Sequence, residues 1–121
     1  MKTILITGAN RGIGLELVRQ LTSPGNRILA TCRNPDQALE LQQLARDSHD
    51  NIEVLSLDVG RETSIVQLSE ILRDRGETIN LLFNNAGIID WRNMREIDAE
   101  TMQQVYKINV IGAMLVLRAF V

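Results

Sequence analysis

The sequence predicts an α/β protein: an open, doubly wound parallel sheet of about four strands with four helices. Two observations predict this fold. Short apolar runs, typical of strands buried on both faces, alternate with longer stretches whose apolar residues recur at helical spacing. A glycine-rich turn, residues 7–14, begins at the end of the first run. Parallel strands require helical crossovers, and because these crossovers are right-handed, the helices cover both faces of the sheet.

Four apolar runs define the predicted strands. The first reads TILITG and ends in glycine. The predicted strands are residues 3–8, 27–33, 52–59 and 79–87. The first half of a doubly wound fold has the strand order 3-2-1-4. Strands one and four are then neighbours, and the crevice above their carboxyl ends is the expected ligand site.

The stretches between the runs predict four helices. These are residues 12–22, 34–48, 62–75 and 98–120. Asn34 is the predicted N-cap of the second helix, with Pro35 at its first position, and Asp98 is the predicted N-cap of the fourth. The apolar residues expected to face the core in the first three helices are Ile13, Leu17, Val18, Leu21, Ala38, Leu41, Leu44, Ala45, Ile65, Leu68, Ile71 and Leu72.

Composition narrows the class of protein. A chain of 121 residues suits one domain, and 45% apolar with 23% charged residues is ordinary globular usage. A net charge of -2 gives no electrostatic case for binding nucleic acid or an anionic membrane. Neither a signal peptide nor a run of about 20 apolar residues is present. The single cysteine, Cys32, cannot form an internal disulfide, which favours a reducing, cytoplasmic setting. Neither Cys32 nor His49 has partners at metal-ligand spacing, so no metal site is expected; Cys32 is a predicted core residue and His49 a surface residue.

The glycine-rich turn TGANRGIG, residues 7–14, predicts a phosphate-binding loop. Gly8 allows a tight turn, while Gly12 and Gly14 allow a diphosphate and the following helix to approach the backbone closely. The helix N-terminus then offers free N–H groups to the phosphates. The alternative is a purely structural turn. The position between a strand and a helix favours a truncated Rossmann-like sheet that binds a dinucleotide.

Several short motifs together resemble the short-chain dehydrogenase/reductase family. They are TGANRGIG (7–14), LDV (57–59), NNAG (84–87) and INV (108–110). The resemblance covers the whole chain and is greatest to the carbonyl-reductase, sniffer-like branch. It implies that residues 1–121 are the N-terminal, cofactor-binding part of one domain whose C-terminal part is absent. It also implies hydride transfer between a nicotinamide and a small carbonyl or alcohol substrate, and a homo-oligomer in the full-length form.

Basic residues favour NADP(H) over NAD(H). An NAD-specific unit usually carries an acid at the end of strand two, where this chain reads TCRN with Arg33. Arg11 adds a second positive charge within the glycine-rich turn. A guanidinium matches the geometry and charge of a 2′-phosphate. The alternative is that Arg11 and Arg33 are solvated surface charges.

The resemblance also implies roles for individual residues. Asp58 and Val59 would line the adenine pocket, Asn84 would support the central sheet, and Asn109 matches the catalytic asparagine. For Asn109 the alternative is an amide that bonds to backbone at a helix bend. The complete set of expected cofactor-binding residues is Gly8, Asn10, Arg11, Gly12, Ile13, Gly14, Arg33, Asp58, Val59, Asn85, Ala86 and Gly87.

Tyr106 and Lys107 resemble a catalytic pair but have the wrong spacing. In the family the tyrosine and lysine lie four residues apart, on one face of a helix. The residue four positions after Tyr106 is Val110, and Lys107 points about 100° away around the helix. Tyr106 is therefore expected to be a packing residue, with a subunit contact as one place for that packing. Trp91 is expected to pack in a loop first and to contact substrate second.

The family's serine, tyrosine and lysine are missing, so two further hypotheses stay open. The chain is a non-catalytic nucleotide-binding or interaction protein if 121 residues is its natural length. Otherwise it is a truncated, inactive fragment without a stable fold. An unpaired edge on strand four and an exposed apolar face on the last helix both predict self-association.

Overall fold

The computed structural model describes residues 1–88, 92 and 95–120. Its centre is a parallel sheet in the order β3-β2-β1-β4, as predicted. The strands are β1 (Lys2–Ile6), β2 (Asn26–Cys32), β3 (Ile52–Ser56) and β4 (Leu81–Phe83). The helices are α1 (Gly12–Leu21), α2 (Leu39–Asp47), α3 (Glu62–Asp74), α4 (Ala99–Tyr106) and α5 (Ala113–Phe120). A π-helical segment, Lys107–Gly112, joins α4 to α5, so these three pieces are the predicted fourth helix.

Two apolar clusters, one on each face of the sheet, hold the elements together. Ile4 and Ile6 of β1 point into the cluster that α1 and α2 cover, while Leu5 points into the cluster covered by α3 and α5. This alternation follows from the period of two along a strand. Val18 of α1 and Val116 of α5 are both fully buried, one in each cluster. The prediction of helices on both faces is confirmed.

All four strands end earlier than predicted, and the difference is largest for strands three and four. The prediction extended strand three to residue 59 and strand four to residue 87, but β3 stops at Ser56 and β4 at Phe83. Beyond these points, side chains accept hydrogen bonds from the backbone. The amide of Asp58 donates to Oγ of Ser64, and the amide of Asn85 donates to Oγ1 of Thr7. The apolar runs therefore continue into loops at the carboxyl edge of the sheet.

The predicted start of the second helix is wrong. Asn34 makes no side-chain cap hydrogen bond, and Pro35–Gln37 forms a separate 3-10 turn. Helix α2 begins only at Leu39, because Ala38 adopts a non-helical ψ of 67°. Asp98, in contrast, is confirmed as an N-cap, since its Oδ1 accepts the Thr101 amide at 2.7 Å.

Two residues expected in the core lie outside it. Ile71 is 47% exposed on α3, and Ile13 is 73% exposed at the start of α1. The buried stripe of α1 begins at Leu15 instead, which is 5% exposed. Ile13 precedes that stripe because the first turn of α1 lies at the mouth of the glycine-rich loop, not against the sheet.

An ion-pair network lies at the amino edge of the sheet, opposite the glycine-rich loop. Arg27 of β2 pairs with Glu77 at 2.6 Å and with Glu53 of β3 at 2.9 Å. Arg75 adds a second bond to Glu53 at 2.8 Å. The hydrogen bonds that Arg27 donates to Glu77 raise the pKa of Arg27, against the effect of burial. Burial raises the pKa of Glu53, but hydrogen bonds and charge from Arg75 and Arg27 outweigh it, so that pKa lies below its ordinary value.

This network predicts a loss of stability in acid. Because the pKa of Glu53 is lower in the folded than in the unfolded chain, its contribution is complete above about pH 4.3 and is lost as pH falls through the folded pKa. We expect Glu53→Gln to lower the free energy of unfolding at pH 7 by about 1 kcal/mol, and to lessen its decline toward pH 3. Urea unfolding at both pH values measures this. Glu70→Gln, on the exposed face of α3, is the control and keeps the wild-type decline.

One face of the last helical stretch exposes an apolar stripe. Its five residues, each 49–58% exposed, are Met102, Tyr106, Val110, Met114 and Leu117. Strand β4 ends the sheet and pairs with β1 alone within the described part of the chain. None of the helices in the described ranges is long and apolar enough to cross a bilayer. The expected self-association stays a prediction.

Candidate functional site

A cleft of about 580 Å³ opens at the carboxyl edge of the sheet, above β1, β2 and β4. Every residue that the sequence predicted to bind a cofactor lines this cleft, with the exception of Gly14. These residues come from four separate parts of the chain, which are the glycine-rich loop, the end of β2, the loop after β3 and the loop after β4. The strand order brings them together, because the carboxyl ends of parallel strands meet at one edge.

The three glycines of the loop differ in the structural reason for having no side chain. Gly8 has a φ of +62°, and a Cβ there would lie 2.9 Å from Cα of Ala86. Gly12 has a φ of +58° and open space beside it. Gly14 lies beneath the loop, where a Cβ would collide with the Gly8 carbonyl oxygen. Gly14 is therefore outside the cleft and serves to bring α1 against the loop.

Thr7 is a site residue that sequence reasoning missed. It is fully buried, and its Oγ1 accepts the backbone amides of both Asn85 and Ala86, each at 2.9 Å. The Asn85 side chain donates in return to the carbonyls of Thr7 and Gly8, at 3.2 Å each. These bonds fix the loop after β4 to the glycine-rich loop. The threonine just before the first glycine was the available signal, but its partners lie 78 and 79 residues away.

The first turn of α1 faces the cleft without a side-chain cap. Arg11 is the N-cap residue, with an extended φ of −161°, and makes no capping hydrogen bond. The first N–H groups of a helix have no intrahelical acceptor, and the helix dipole makes this end positive. Such an end binds phosphate groups. The groups at this end of the cleft that could hold a dinucleotide diphosphate are therefore the backbone N–H groups of the first turn of α1.

The loop after β3 has a fixed shape. Oδ1 of Asp58 accepts the Gly60 amide at 2.9 Å, and the Asp58 amide donates to Ser64 at 2.9 Å. Val59 is 8% exposed and its carbonyl oxygen lies where a Cβ on Gly112 would be. The π-helical segment thus packs directly on this loop. Asp58 and Val59 both line the cleft, where the resemblance implies an adenine pocket.

Asn109 lies in the π-helical segment and holds the backbone of Ile88. Its Oδ1 accepts the Ile88 amide at 2.8 Å, and its Nδ2 donates to the Ile88 carbonyl at 2.7 Å. The alternative interpretation, an amide bonded to backbone at a helix irregularity, is what the structure has. A Cβ on Gly87 would lie 3.0 Å from Asn109 Oδ1, so this contact is close. π-helical turns occur frequently at functional sites.

The expected role of Asn84 in supporting the central sheet stays a prediction. Asn84 is an exposed residue just after β4, and its Nδ2 donates to the carbonyl of Ala113 at 2.7 Å. Ala113 is the first residue after the π-helical segment. The Asn84 amide therefore ties the end of β4 to the start of α5.

Tyr106 and Lys107 lie away from the cleft. Tyr106 is 58% exposed within this chain, and its expected packing at a subunit contact stays a prediction. Both side chains border an apolar groove of about 510 Å³ along α4 and the π-helical segment. Trp91 lies outside the described residues.

Cys32 and His49 have no catalytic partners in the described chain. Cys32 is 3% exposed, as predicted for a core residue, but it also lines the cleft. Burial raises the pKa of its thiol, against a backbone hydrogen bond from Asn34. His49 is exposed, as predicted. Within the described ranges no group of His, Cys, Asp and Glu side chains could hold a metal ion.

Comparison with known proteins agrees with this geometry. A family model described as short chain dehydrogenase matches residues 2–121. An uncharacterized oxidoreductase of Schizosaccharomyces pombe is 35% identical, over 98% of this chain and 47% of its own length. The structure of NADPH-bound carbonyl reductase from chicken fatty liver is 38% identical, with a TM-score of 0.90 over 99% of this chain and 50% of that one.

A gluconate 5-dehydrogenase from Burkholderia cenocepacia, in complex with NADP and tartrate, is 28% identical. Its TM-score is 0.85, over 98% of this chain and 47% of that one. The chain thus spans about half the length of the relatives it matches. Because the family model matches nearly every residue, the chain belongs to the short-chain dehydrogenase family.

Proposed function

We propose that this chain is the cofactor-binding half of an NADP(H)-dependent oxidoreductase of the carbonyl-reductase type. The observation that carries the proposal is the cleft itself, in which the expected dinucleotide-binding residues from four segments come together. NADP(H), when bound, would supply hydride transfer to a carbonyl or from an alcohol. The chicken carbonyl reductase, with NADPH bound, supports this choice.

The chain's own residues would each bind a part of the cofactor. The uncapped first turn of α1 would hold the diphosphate through backbone N–H groups. Asp58 and Val59 would line the adenine pocket. Arg11 and Arg33 both border the cleft, where they would bind the 2′-phosphate, and no acid stands at the end of β2 to repel it. The alternative is that the two arginines are only solvated charges. In that case Arg33→Asp would not weaken NADPH binding more than NADH binding.

Asn109 would act at the nicotinamide end as a positioning residue. Its side-chain amide is occupied by the backbone of Ile88, which itself borders the cleft. The proposed catalytic contribution of Asn109 is therefore to fix the loop after β4 beside the reacting ring. The family's tyrosine and lysine, four residues apart, do not occur in this sequence.

A titration tests the proposal. We expect the 121-residue chain to bind NADPH at least ten times more tightly than NADH, as measured by cofactor fluorescence. Absence of binding to both cofactors would overturn the proposal. Equal binding would leave a dinucleotide site and remove the NADP(H) assignment.

The chain alone is expected to have no reductase turnover. Without the tyrosine acid, no group in the described cleft is placed to donate a proton to a carbonyl oxygen. The measurement is NADPH oxidation with small carbonyl substrates, against a blank without protein. Protein-dependent oxidation would contradict this expectation. A chain that binds NADPH and never turns over also fits the second candidate function, a nucleotide-binding protein without chemistry.

The apolar stripe supports a homo-oligomer. Its exposed residues recur at intervals of three or four along α4, the π-helical segment and α5, so they form one continuous surface. We expect the chain to self-associate with rising concentration, and the double variant Met102→Gln/Met114→Gln to reduce this. Light scattering measures the mass, and a concentration-independent monomer would contradict the expectation.

A cytoplasmic location is proposed from the unpaired, buried Cys32.

A further inference from the structure

A polar pocket of about 480 Å³ adjoins the cofactor cleft on the side of α3. It lies between the ends of β2 and β3 and the first turn of α3. Arg33, Asn34 and Asp58 line both spaces, so the pocket opens from the adenosine end of the proposed cofactor site. Arg61 lines the pocket but not the cleft.

Arg61 occupies a position that is unfavourable for the helix it precedes. It is the N-cap residue of α3, with φ −129° and ψ 111°, and it makes no side-chain cap hydrogen bond. Ser, Thr, Asp and Asn are the preferred N-caps, because their oxygens accept a free helix amide. A positive side chain also lies at the positive end of the helix dipole. A residue that breaks a local rule in this way is expected at a functional site.

The charges around the pocket leave Arg61 available to an anion. The one carboxylate on its wall, Asp58, has Oδ1 bonded to the Gly60 amide at 2.9 Å. The Ser56 hydroxyl donates to the Arg33 carbonyl at 3.4 Å, so it does not engage the guanidinium. In the described part of the chain neither Arg33 nor Arg61 forms an ion pair, whereas Arg27 does.

We propose that Arg61, together with Arg33, binds the 2′-phosphate of the cofactor and selects NADP(H) over NAD(H). The inference rests on the proposed function. A 2′-phosphate carries close to two negative charges and three acceptor oxygens, which one guanidinium cannot satisfy alone. Arg33 lines both the cleft and the pocket, and Arg61, which directly precedes α3, lines the same pocket.

The test uses the 121-residue chain and the variant Arg61→Ser. Charge-assisted hydrogen bonds of this kind change affinity by about 10-fold or more. We expect the dissociation constant for NADPH to rise about 10-fold and that for NADH to change less than 2-fold. The affinity for adenosine 2′,5′-bisphosphate should fall as much as that for NADPH, and the affinity for ADP should stay unchanged. Arg73→Ser, at the other end of α3, is the control for the loss of one positive charge and changes neither.

A second measurement separates recognition from folding. Serine is a good N-cap, so Arg61→Ser should raise the midpoint of thermal unfolding by about 2–6 °C while NADPH affinity falls. Equal loss of NADPH and NADH, or unchanged NADPH affinity, would overturn the role of Arg61. A wild-type chain that binds neither cofactor would overturn the proposed function as well. A wild type that prefers NADPH, with Arg61→Ser unaffected, would overturn this inference alone.

Discussion

Gly14→Ala is expected to destabilise the chain severely and to remove cofactor binding. A Cβ at Gly14 would overlap the carbonyl oxygen of Gly8 and lie 2.7 Å from Nδ2 of Asn85. Neither neighbour can move easily. A Cβ on Gly8 would itself meet Ala86 backbone at 2.9 Å, and Asn85 is bonded to Thr7. We expect a loss of about 3 kcal/mol in the free energy of unfolding.

The chain contains a matched control for this substitution. Gly25 lies in the exposed turn before β2, where an added Cβ meets nothing within 4 Å. Gly25→Ala should therefore change the free energy of unfolding by less than about 1 kcal/mol, since it mainly restricts the unfolded chain. Urea unfolding and NADPH titration of both variants measure the difference. Similar stability for the two would show that the approach of α1 to the loop is not as close as the structure has it.

The position of the cleft could be predicted because it follows from local patterns and one topological rule. The glycine-rich loop had to lie between β1 and α1, and the loop containing Asn85 had to follow β4. The strand order of a doubly wound fold, 3-2-1-4, then makes β1 and β4 neighbours. The structure confirms this order, and the two loops meet.

The bonds that hold the two loops together could not be predicted in the same way. The hydroxyl of Thr7 accepts amides 78 and 79 residues away, and a hydroxyl carries no directional signal in the sequence. The clamp of Asn109 on Ile88 depends on the π-helical segment. A single π turn hardly alters the apolar periodicity, so residues 98–120 look like one regular helix. The segment packs against the loop after β3 so closely that a Cβ on Gly112 would collide with the carbonyl oxygen of Val59.

Two wrong predictions, the start of the second helix and the burial of Ile13, have a common physical cause. In both, the tertiary surroundings override what the local sequence at the start of a helix favours. Asn34 and Pro35 are good N-terminal residues, but at the carboxyl edge of β2 they form a 3-10 turn that borders the cleft. Ile13 fits the helical stripe of α1, yet it lies over the cleft and is exposed. Binding sites are where such departures are expected, because the chain there is shaped for a ligand.

Reversal of charge at Arg33 is expected to have the largest effect on cofactor choice. Arg33 follows β2 directly and borders both the cleft and the polar pocket beside it. In Arg33→Asp, a guanidinium that would bind the 2′-phosphate becomes a carboxylate that repels it. We expect NADPH affinity to fall about 100-fold, or roughly 3 kcal/mol. NADH affinity should be kept or improved, because an acid at this position can accept the ribose 2′-OH.

The control is Arg46→Asp, an equal charge reversal on the exposed surface of α2, at a residue that does not line the cleft. It separates a contact at Arg33 from a change in net charge, whose effect on both variants is the same. Titration at two salt concentrations extends the comparison, since a direct contact with phosphate weakens less with salt than long-range attraction does. If Arg33→Asp weakened NADPH and NADH equally, the loss would lie in the fold or the diphosphate site. Arg33 would then be a solvated charge, and the choice of NADP(H) would rest on Arg11 and Arg61.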